Sequence, residues 1–276
     1  MDAAAGYGLV DFGSGAKLER FGSRTIHRES PSVGMSRPKR TASQWRADLK
    51  FAAEAWTGTG AEDAWDCQLS GIRFELRPTP TGQVGVFPEQ KFNWDWIKAN
   101  GSLVEGKRAI NLFGYTGGTT LALASQGAEL VHVDSARSVV SWARRNAANN
   151  TLEDKPIRWI VDDAMGFVDR ELRRGNTYDI FVADPPSFGR GVKKETWKFD
   201  RDFEKLMNMA RELCPSPLMV LLSGHTPGWS GADLQQAICS MFDIDEFNVE
   251  SGALVLKCED GRELRSGHFA RFCRGR

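Results

Sequence analysis

No run of apolar residues in this chain approaches the roughly 20 that a membrane-spanning helix needs. Cysteine is scarce as well. The five (Cys67, Cys214, Cys239, Cys258 and Cys273) are scattered and never spaced CxxC, which argues against a disulfide framework or a zinc site and for a reducing compartment. Neither charge sign is in excess, because 36 basic residues balance 36 acidic ones. That excludes an overall polycation gripping nucleic acid indiscriminately, yet leaves room for local basic patches. The opening MDAAAGYGLVDFGSG has no basic segment followed by an apolar one, so the expected setting is the cytoplasm or the interior of an organelle. A phosphate-binding GxxxxGK[ST] loop, internal repeats and low-complexity tracts are all missing. What is present, 276 residues with 41% hydrophobic and 26% charged, suffices for one large domain with a small appendage.

The chain changes rhythm near residue 85. Before it, GLVDFGSGAKLERFGSRTIHRESP reads as short strands punctuated by Gly and Ser. A second strand-like pair, WDCQLSGIRFELRP and QVGVFP, flanks the turn residues Pro78, Pro80 and Gly82. Lys17 to Lys50 carries nine cations (Lys17, Arg20, Arg24, Arg28, Arg37, Lys39, Arg40, Arg46, Lys50) against three carboxylates (Glu19, Glu29, Asp48). Such a stretch is either a solvated face or a groove that neutralises phosphates. From Gly85 onward, RAINLF, ELVHVD, IRWIVDD, YDIFVADPP and PLMVLLSGH read as strands apolar on both faces, the pattern of a buried parallel sheet. Amphipathic helices alternate with them; Ala136, Val139, Val140, Ala143 and Ala147 form one stripe. The expected fold is α/β, doubly wound, with an antiparallel strand contributed by FNVESGALVLK or HFARFC. The expected organisation is a β-rich basic subdomain over 1–84, on the substrate side, and the doubly wound domain over 85–276.

Ligands of such sheets sit beyond the carboxyl ends of the strands. The first of these strands ends in Phe113-Gly114-Tyr115-Thr116-Gly117-Gly118 and enters a helix, so its backbone can turn sharply and approach a ligand, with free N–H groups at the helix start. The second ends in Asp134-Ser135, Asp134 lying twenty residues after Gly114, where a carboxylate accepts from ribose hydroxyls. The third ends in Asp162-Asp163-Ala164, where a carboxylate could receive an exocyclic amine or simply cap a helix. GYTGGTT fits the GxGxxG of nicotinamide enzymes poorly. Adenosine carrying an amino-acid tail fits better, and S-adenosylmethionine, with its cationic sulfonium and ammonium, suits an acidic site. The fourth strand ends in Asp184-Pro185-Pro186-Ser187-Phe188, followed by Gly189-Arg190-Gly191. Two prolines make a rigid extended turn and leave carbonyls to accept hydrogen bonds, Asp184 adds a fixed acceptor, and Phe188 offers a face for a base to stack on.

NLFGYTGG, HVDSA, VDDA and DPPSFGRG together resemble the consecutive motifs of class I S-adenosylmethionine-dependent methyltransferases. More narrowly they are similar to the branch containing bacterial 23S ribosomal RNA base methyltransferases, whose segment before the cofactor strand is matched by GVFPEQKFNWDWI. The resemblance covers roughly residues 85 to 225 and implies a seven-stranded Rossmann-like sheet with one antiparallel strand. It implies Phe87 and Gln90 near the cofactor, Gly114 to Gly118 around its methionine part, Asp134 on the ribose, Asp163 on the adenine, and Asp184, Pro185 and Phe188 at the acceptor. Members that methylate carbon 5 of cytosine use a cysteine after the fifth strand; here that strand leads into Leu222-Ser223-Gly224-His225-Thr226. A nitrogen acceptor on an RNA base, with RNA as partner and no metal, is therefore the expectation. The other readings are a methyltransferase for a small molecule or protein side chain, and a catalytically silent assembly factor. His225 reads as a base or as a structural residue. Arg190, Lys193, Lys194 and Lys198, beside Glu195, Asp200 and Asp202, read as a phosphate contact or a solvated loop. Arg262, Arg265, Arg271, Arg274 and Arg276 read as a solvated end or more of the same basic surface.

Overall fold

The computed structural model describes residues 6–190 and 196–275. Its contacts define two compact units: the chain up to Lys91 together with Val255–Arg265, and Phe92–Leu254 together with Ser266–Arg276.

In the first unit, β1 (Tyr7–Gly13), β2 (Ala16–Phe21), β3 (Arg24–Glu29), β4 (Leu49–Ala52) and β5 (Ala55–Gly58) form one sheet in sequence order. All neighbours are antiparallel except β3 and β4, which run parallel because residues 30–48 cross between them. β6 (Trp65–Leu69) and β7 (Ile72–Leu76) make a separate hairpin. It turns at Ser70 and Gly71, with φ of 51° and 67°, the two left-handed residues of a tight hairpin turn. QVGVFP forms no strand; its Val84 and Gln83 carbonyls accept from Arg77 and Thr79 N–H in a short turn-like return. Pro78, Pro80 and Pro88 withhold the donors that a longer ladder would need.

Two buried ion clusters lock this unit. Glu19 accepts from Arg28 at 2.7 Å and from the Tyr7 hydroxyl at 2.9 Å. Asp11 accepts from the backbone N–H groups of Lys39 and Arg40 at 3.1 and 2.8 Å and from the Trp45 indole at 2.8 Å, and it pairs with Arg262. The segment 255–265 thus belongs with the N-terminal strands, through Arg262 and through the Leu9–Cys258 bridge. The boundary after residue 84 expected from composition cannot register such a long-range return.

The second unit begins with α1 (Lys91–Ala99). It continues through β8 (Arg108–Leu112), α2 (Gly118–Ala124), β9 (Glu129–Asp134), α3 (Arg137–Asn149), β10 (Ile157–Val161), α4 (Ala164–Arg173) and β11 (Ile180–Ala183). A small hairpin, β12 (Phe188–Arg190) and β13 (Thr196–Lys198), precedes α5 (Phe199–Leu213), β14 (Met219–Gly224), α6 (Gly231–Phe242), β15 (Val249–Lys257) and β16 (Glu263–Cys273). The seven-stranded sheet has the order β10-β9-β8-β11-β14-β16-β15. The first five strands are parallel, and β16 is antiparallel to β14.

Alternate side chains divide the sheet into two faces. Ile110, Leu112, Val131, Val133, Phe181 and Leu222 share one apolar core with α4, α5 and α6. The intervening residues face the other way: Asn111 and His132 bond Thr120 of α2, and Arg271, paired in register with Leu221, bonds Asn93 of α1. The sheet is therefore covered on both faces, as the near-continuous apolar runs demand. No described helix is long and apolar enough to cross a membrane.

The C-terminal arginines are not one basic surface. Arg262 pairs with Asp11 and Asp260. Arg271 is 5% exposed, pairs with Glu250 at 2.7 Å, and lies against the rings of Phe92, Trp96 and Phe269. Arg276 lies outside the described residues.

Candidate active site

The strand order reverses beside β8, because β9 lies on one side and β11 on the other. The crevice at the carboxyl ends of those strands is where an open α/β sheet receives a ligand. The loop leaving β8 is unusual in its backbone: Phe113, Tyr115 and Gly117 have φ of 56°, 48° and 93°. For aromatic residues the left-handed region is disfavoured by about 1–3 kcal/mol each, and such conformations persist only where surrounding contacts enforce them.

Those contacts are present. Gly114 N–H bonds the Val133 carbonyl at 3.0 Å, Tyr115 N–H bonds Asp134 Oδ2 at 3.0 Å, and the Asn146 amide donates to the Thr116 carbonyl at 3.0 Å. A Cβ on Gly114 would come within 2.5 Å of the His132 ring, and one on Gly118 within 2.2 Å of Trp94. These glycines thus serve close packing of the loop against His132 and Trp94. α2 is only seven residues long, so the cradle is made by the loop itself more than by a helix end.

Asp134 is the hinge of the arrangement. Its Oδ1 accepts from Ala136 N–H at 2.9 Å while Oδ2 holds Tyr115. Burial raises its pKa above the ordinary carboxylate value, and the backbone donors Ala136, Tyr115 and Ser135 offset part of that effect. Each carboxylate oxygen accepts more than one hydrogen bond, so Asp134 can still take two hydroxyls.

The neighbouring acidic pair behaves differently. Asp163 caps α4, accepting from Gly166 N–H at 2.8 Å, and Ala164 is the buried first residue of that helix. Asp162 accepts from Asp163 N–H and pairs with Arg170. Helix capping, one of the two readings of the VDDA motif, is present; among the described residues no donor reaches the second oxygen of Asp163.

The DPP turn lies at the same end of the sheet. Pro185 is buried, and among the described residues no donor reaches its carbonyl. The Pro186 carbonyl is occupied, accepting from the Trp197 indole at 2.6 Å. Phe188 stands 53% exposed on β12. Two contacts join this hairpin to the cofactor side: the Phe113 and Trp197 rings lie 5.0 Å apart, and the Ser135 hydroxyl donates to the Arg190 carbonyl at 3.4 Å. Ser187 donates to Thr226 at 3.1 Å, tying the turn to the segment after β14 that carries the exposed His225. Gly191, Lys193, Lys194 and Glu195 lie outside the described residues. Phe87 precedes a 3-10 turn, Pro88–Gln90, in the first unit, and Gln90 is its buried last residue.

A family model of S-adenosylmethionine-dependent methyltransferases matches residues 22–227. The chain belongs to that family. A crystal structure of a S-adenosylmethionine-dependent methyltransferase from Agrobacterium tumefaciens shares 34% identity with this methyltransferase, covering 98% of this chain and 91% of that one with a TM-score of 0.87. Ribosomal RNA large subunit methyltransferase K/L of Alteromonas mediterranea is 27% identical over 72% of this chain and 28% of its own length. Ribosomal RNA large subunit methyltransferase K of Neisseria meningitidis is 29% identical over 74% of this chain and 58% of its own. The chain therefore spans well under two thirds of either of these curated relatives.

The residues present fit S-adenosylmethionine. The strained loop, the glycines that admit no Cβ, and a half-buried carboxylate with spare lone pairs match a nucleoside with an amino-acid tail. Asp11, Cys258 and Asp260 lie close enough to share a metal ion, but the Arg262 guanidinium already pairs with both carboxylates.

Among the buried supports, the tryptophan-rich pattern suggests packing for Trp94, which is buried against Gly118, whereas His132 and Asn146 give no such sign, since each acts through a residue far along the chain. His132 is fully buried, shares a 2.9 Å hydrogen bond with Thr120 through Nδ1, and has no partner at Nε2 among the described residues. Burial depresses its pKa to about 3.

Two outcomes are expected. Asp134→Ala should weaken S-adenosylmethionine binding at least roughly tenfold, since hydrogen bonds to a charged group contribute about 1.5–3 kcal/mol and about 1.4 kcal/mol is a decade; unchanged affinity by calorimetry would remove Asp134 from the site. His132 stays neutral in the fold but takes a proton near pH 6.5 when unfolded, so it withdraws stability as pH falls from about 6.5 toward 3. His132→Gln should flatten the decline of melting temperature between about pH 7 and 4, whereas an equal decline in variant and parent would show that the buried ring is not its source.

Proposed function

We propose that this methyltransferase acts on a base nitrogen of RNA, with ribosomal RNA in the cytoplasm as the favoured substrate. The observation that carries the reading is the exposed Phe188 ring, held one residue beyond the DPPS turn and fastened to the cofactor loop through Phe113–Trp197 and Ser135–Arg190. An exposed aromatic face beside fixed acceptors suits a flat, amine-bearing ring. The names of the relatives from Alteromonas mediterranea and Neisseria meningitidis support RNA as the class.

S-adenosylmethionine supplies an electrophilic methyl group on a sulfonium. Asp134 and the 113–118 loop would orient it. The Asp184 carboxylate and the Pro185 carbonyl would accept the hydrogens of the attacking nitrogen, turning its lone pair toward the methyl. Asp184 would take up the proton that the nitrogen loses on accepting the methyl group from the cofactor's sulfur. Alignment supplies most of the rate, and a base lying in a duplex would first be extruded onto Phe188.

The cysteines support a nitrogen acceptor. Methylating carbon 5 of a pyrimidine requires an activated thiolate. Cys67, Cys214, Cys258 and Cys273 are buried, and Cys239 is half-buried within α6. Burial pushes the Cys67 thiol up to about 12 and raises Cys214, Cys239 and Cys258 as well. Cys273 pairs in register with Met219, at the amino end of β14 and away from the site.

Methyl transfer to total RNA, to protein and to metabolite pools tests the proposal; RNA should be labelled, and labelling confined to another pool would replace it. Asp184→Ala should slow transfer at least about a hundredfold, the order typical of positioned acid–base groups, and Phe188→Ala about 5- to 100-fold, as expected for losing one stacked base, while cofactor affinity stays within a few-fold. Loss of cofactor binding by either folded variant would take that residue out of the acceptor site. A variant with all five cysteines replaced by Ser or Ala should keep activity, and no covalent adduct should form with RNA containing 5-fluorocytosine. A trapped adduct would overturn the nitrogen assignment.

A further inference from the structure

The basic stretch of the first unit is largely spent on internal pairing. Lys17 and Arg28 pair with Glu19, Arg24 with Asp63, and Arg20 with Glu259. Arg37, Lys39, Arg46 and Lys50 remain exposed, with no carboxylate paired to them among the described residues. Arg37 and Lys39 flank Pro38 in the chain, Arg46 follows Trp45, and Lys50 pairs in register with His27; Pro38, Trp45 and His27 line a cleft of about 430 Å³ whose walls also include Gly13, Arg40 and Ala42.

The cleft is built around a fixed ring. The Trp45 indole donates to the buried Asp11 at 2.8 Å, and its edge packs against His27 with centroids 5.2 Å apart and planes at 79°. Asp11 also holds the backbone of Lys39 and Arg40, so ring and cationic segment are positioned by one carboxylate. A Cβ on Gly13 would lie 2.4 Å from Pro38 N, so only glycine lets β1 approach the segment this closely. Arg40 meets Glu259 in an exposed pair at 2.7 Å. Exposed pairs contribute little, so its guanidinium can exchange that partner for a phosphate.

We infer that this cleft is a second RNA contact, holding one unpaired nucleotide of single-stranded RNA with its base on Trp45 and its phosphate at Arg40. The inference rests on the RNA reading above and assigns a recognition role to residues outside the catalytic crevice. A preordered aromatic ring beside one exchangeable guanidinium, with four exposed cations next to the cleft's walls along the chain or in strand register, matches a stacked base with a flanking backbone, and a duplex, whose bases are already stacked, cannot enter it.

The test measures binding of a short fluorescein-labelled oligouridylate to the full chain, alongside methyl transfer to total RNA. Trp45→Ala should weaken binding about 5- to 100-fold, as expected for losing one stacked base, with S-adenosylmethionine affinity unchanged. Trp45→Phe should retain most of the binding, and Arg40→Gln should lower the log–log salt slope by about 0.7. Ala42→Glu, at an exposed position outside the Asp11 cluster, obstructs the cleft and should mimic Trp45→Ala even if that variant folds poorly. If the parent methylates RNA but Trp45→Ala and Ala42→Glu bind like it, the subsite is wrong while the RNA reading stands. Equal loss in Trp45→Phe and Trp45→Ala, or equally tight binding of duplex RNA, also overturns it. If the parent neither binds nor methylates RNA, the RNA reading itself fails, and the subsite with it.

Discussion

The left-handed backbone of residues 113–117 is the constraint on which the site depends. Two aromatic residues, Phe113 and Tyr115, occupy a region normally left to glycine. Asp134 is what makes that affordable, since it receives Tyr115 N–H from one side and Ala136 N–H from the other. Burial raises its pKa, and those two donors offset part of the rise. The group that shapes the loop is also the one proposed to hold the ribose hydroxyls, so on that proposal ligand contact and loop geometry would be coupled through one carboxylate.

The same loop reaches the acceptor side. Phe113 points its ring at Trp197, Trp197 donates to the Pro186 carbonyl, and Ser187 bonds Thr226 beyond β14. The ends of β8, β11 and β14 are thus linked through side chains. Beneath them, Asn111 of β8 and His132 of β9 meet Thr120 of α2 in a buried polar chain. A ring held neutral there packs flat against Gly114, where a bulkier or charged neighbour would displace the turn.

Much of this was legible in the sequence because it is local. Apolar runs placed β8, β9, β10, β11 and β14, and strand-end motifs placed Gly114–Gly118, Asp134 and Asp184–Phe188 at one sheet edge. The family resemblance added their order of use. What stayed hidden depends on partners far along the chain. Arg271 looks like a surface cation until Glu250 and three rings enclose it, and Arg262 looks the same until Asp11, some 250 residues away in the chain, takes its charge. The basic count over Lys17–Lys50 overstated the free charge for the same reason. QVGVFP carries strand-like alternation, but nearby prolines deny it a ladder. Trp45 gave no signal of its own, since its ring is set by a carboxylate on another strand.

The central claim is that the DPPS turn presents an RNA base nitrogen to the methyl group. It is tested most directly by mass-spectrometric mapping of modified nucleotides in RNA from cells with and without this protein. The account predicts that one N-methylated base disappears with the protein and returns when it is restored. An unchanged RNA map, accompanied by the loss of a methylated metabolite or protein side chain, would contradict it.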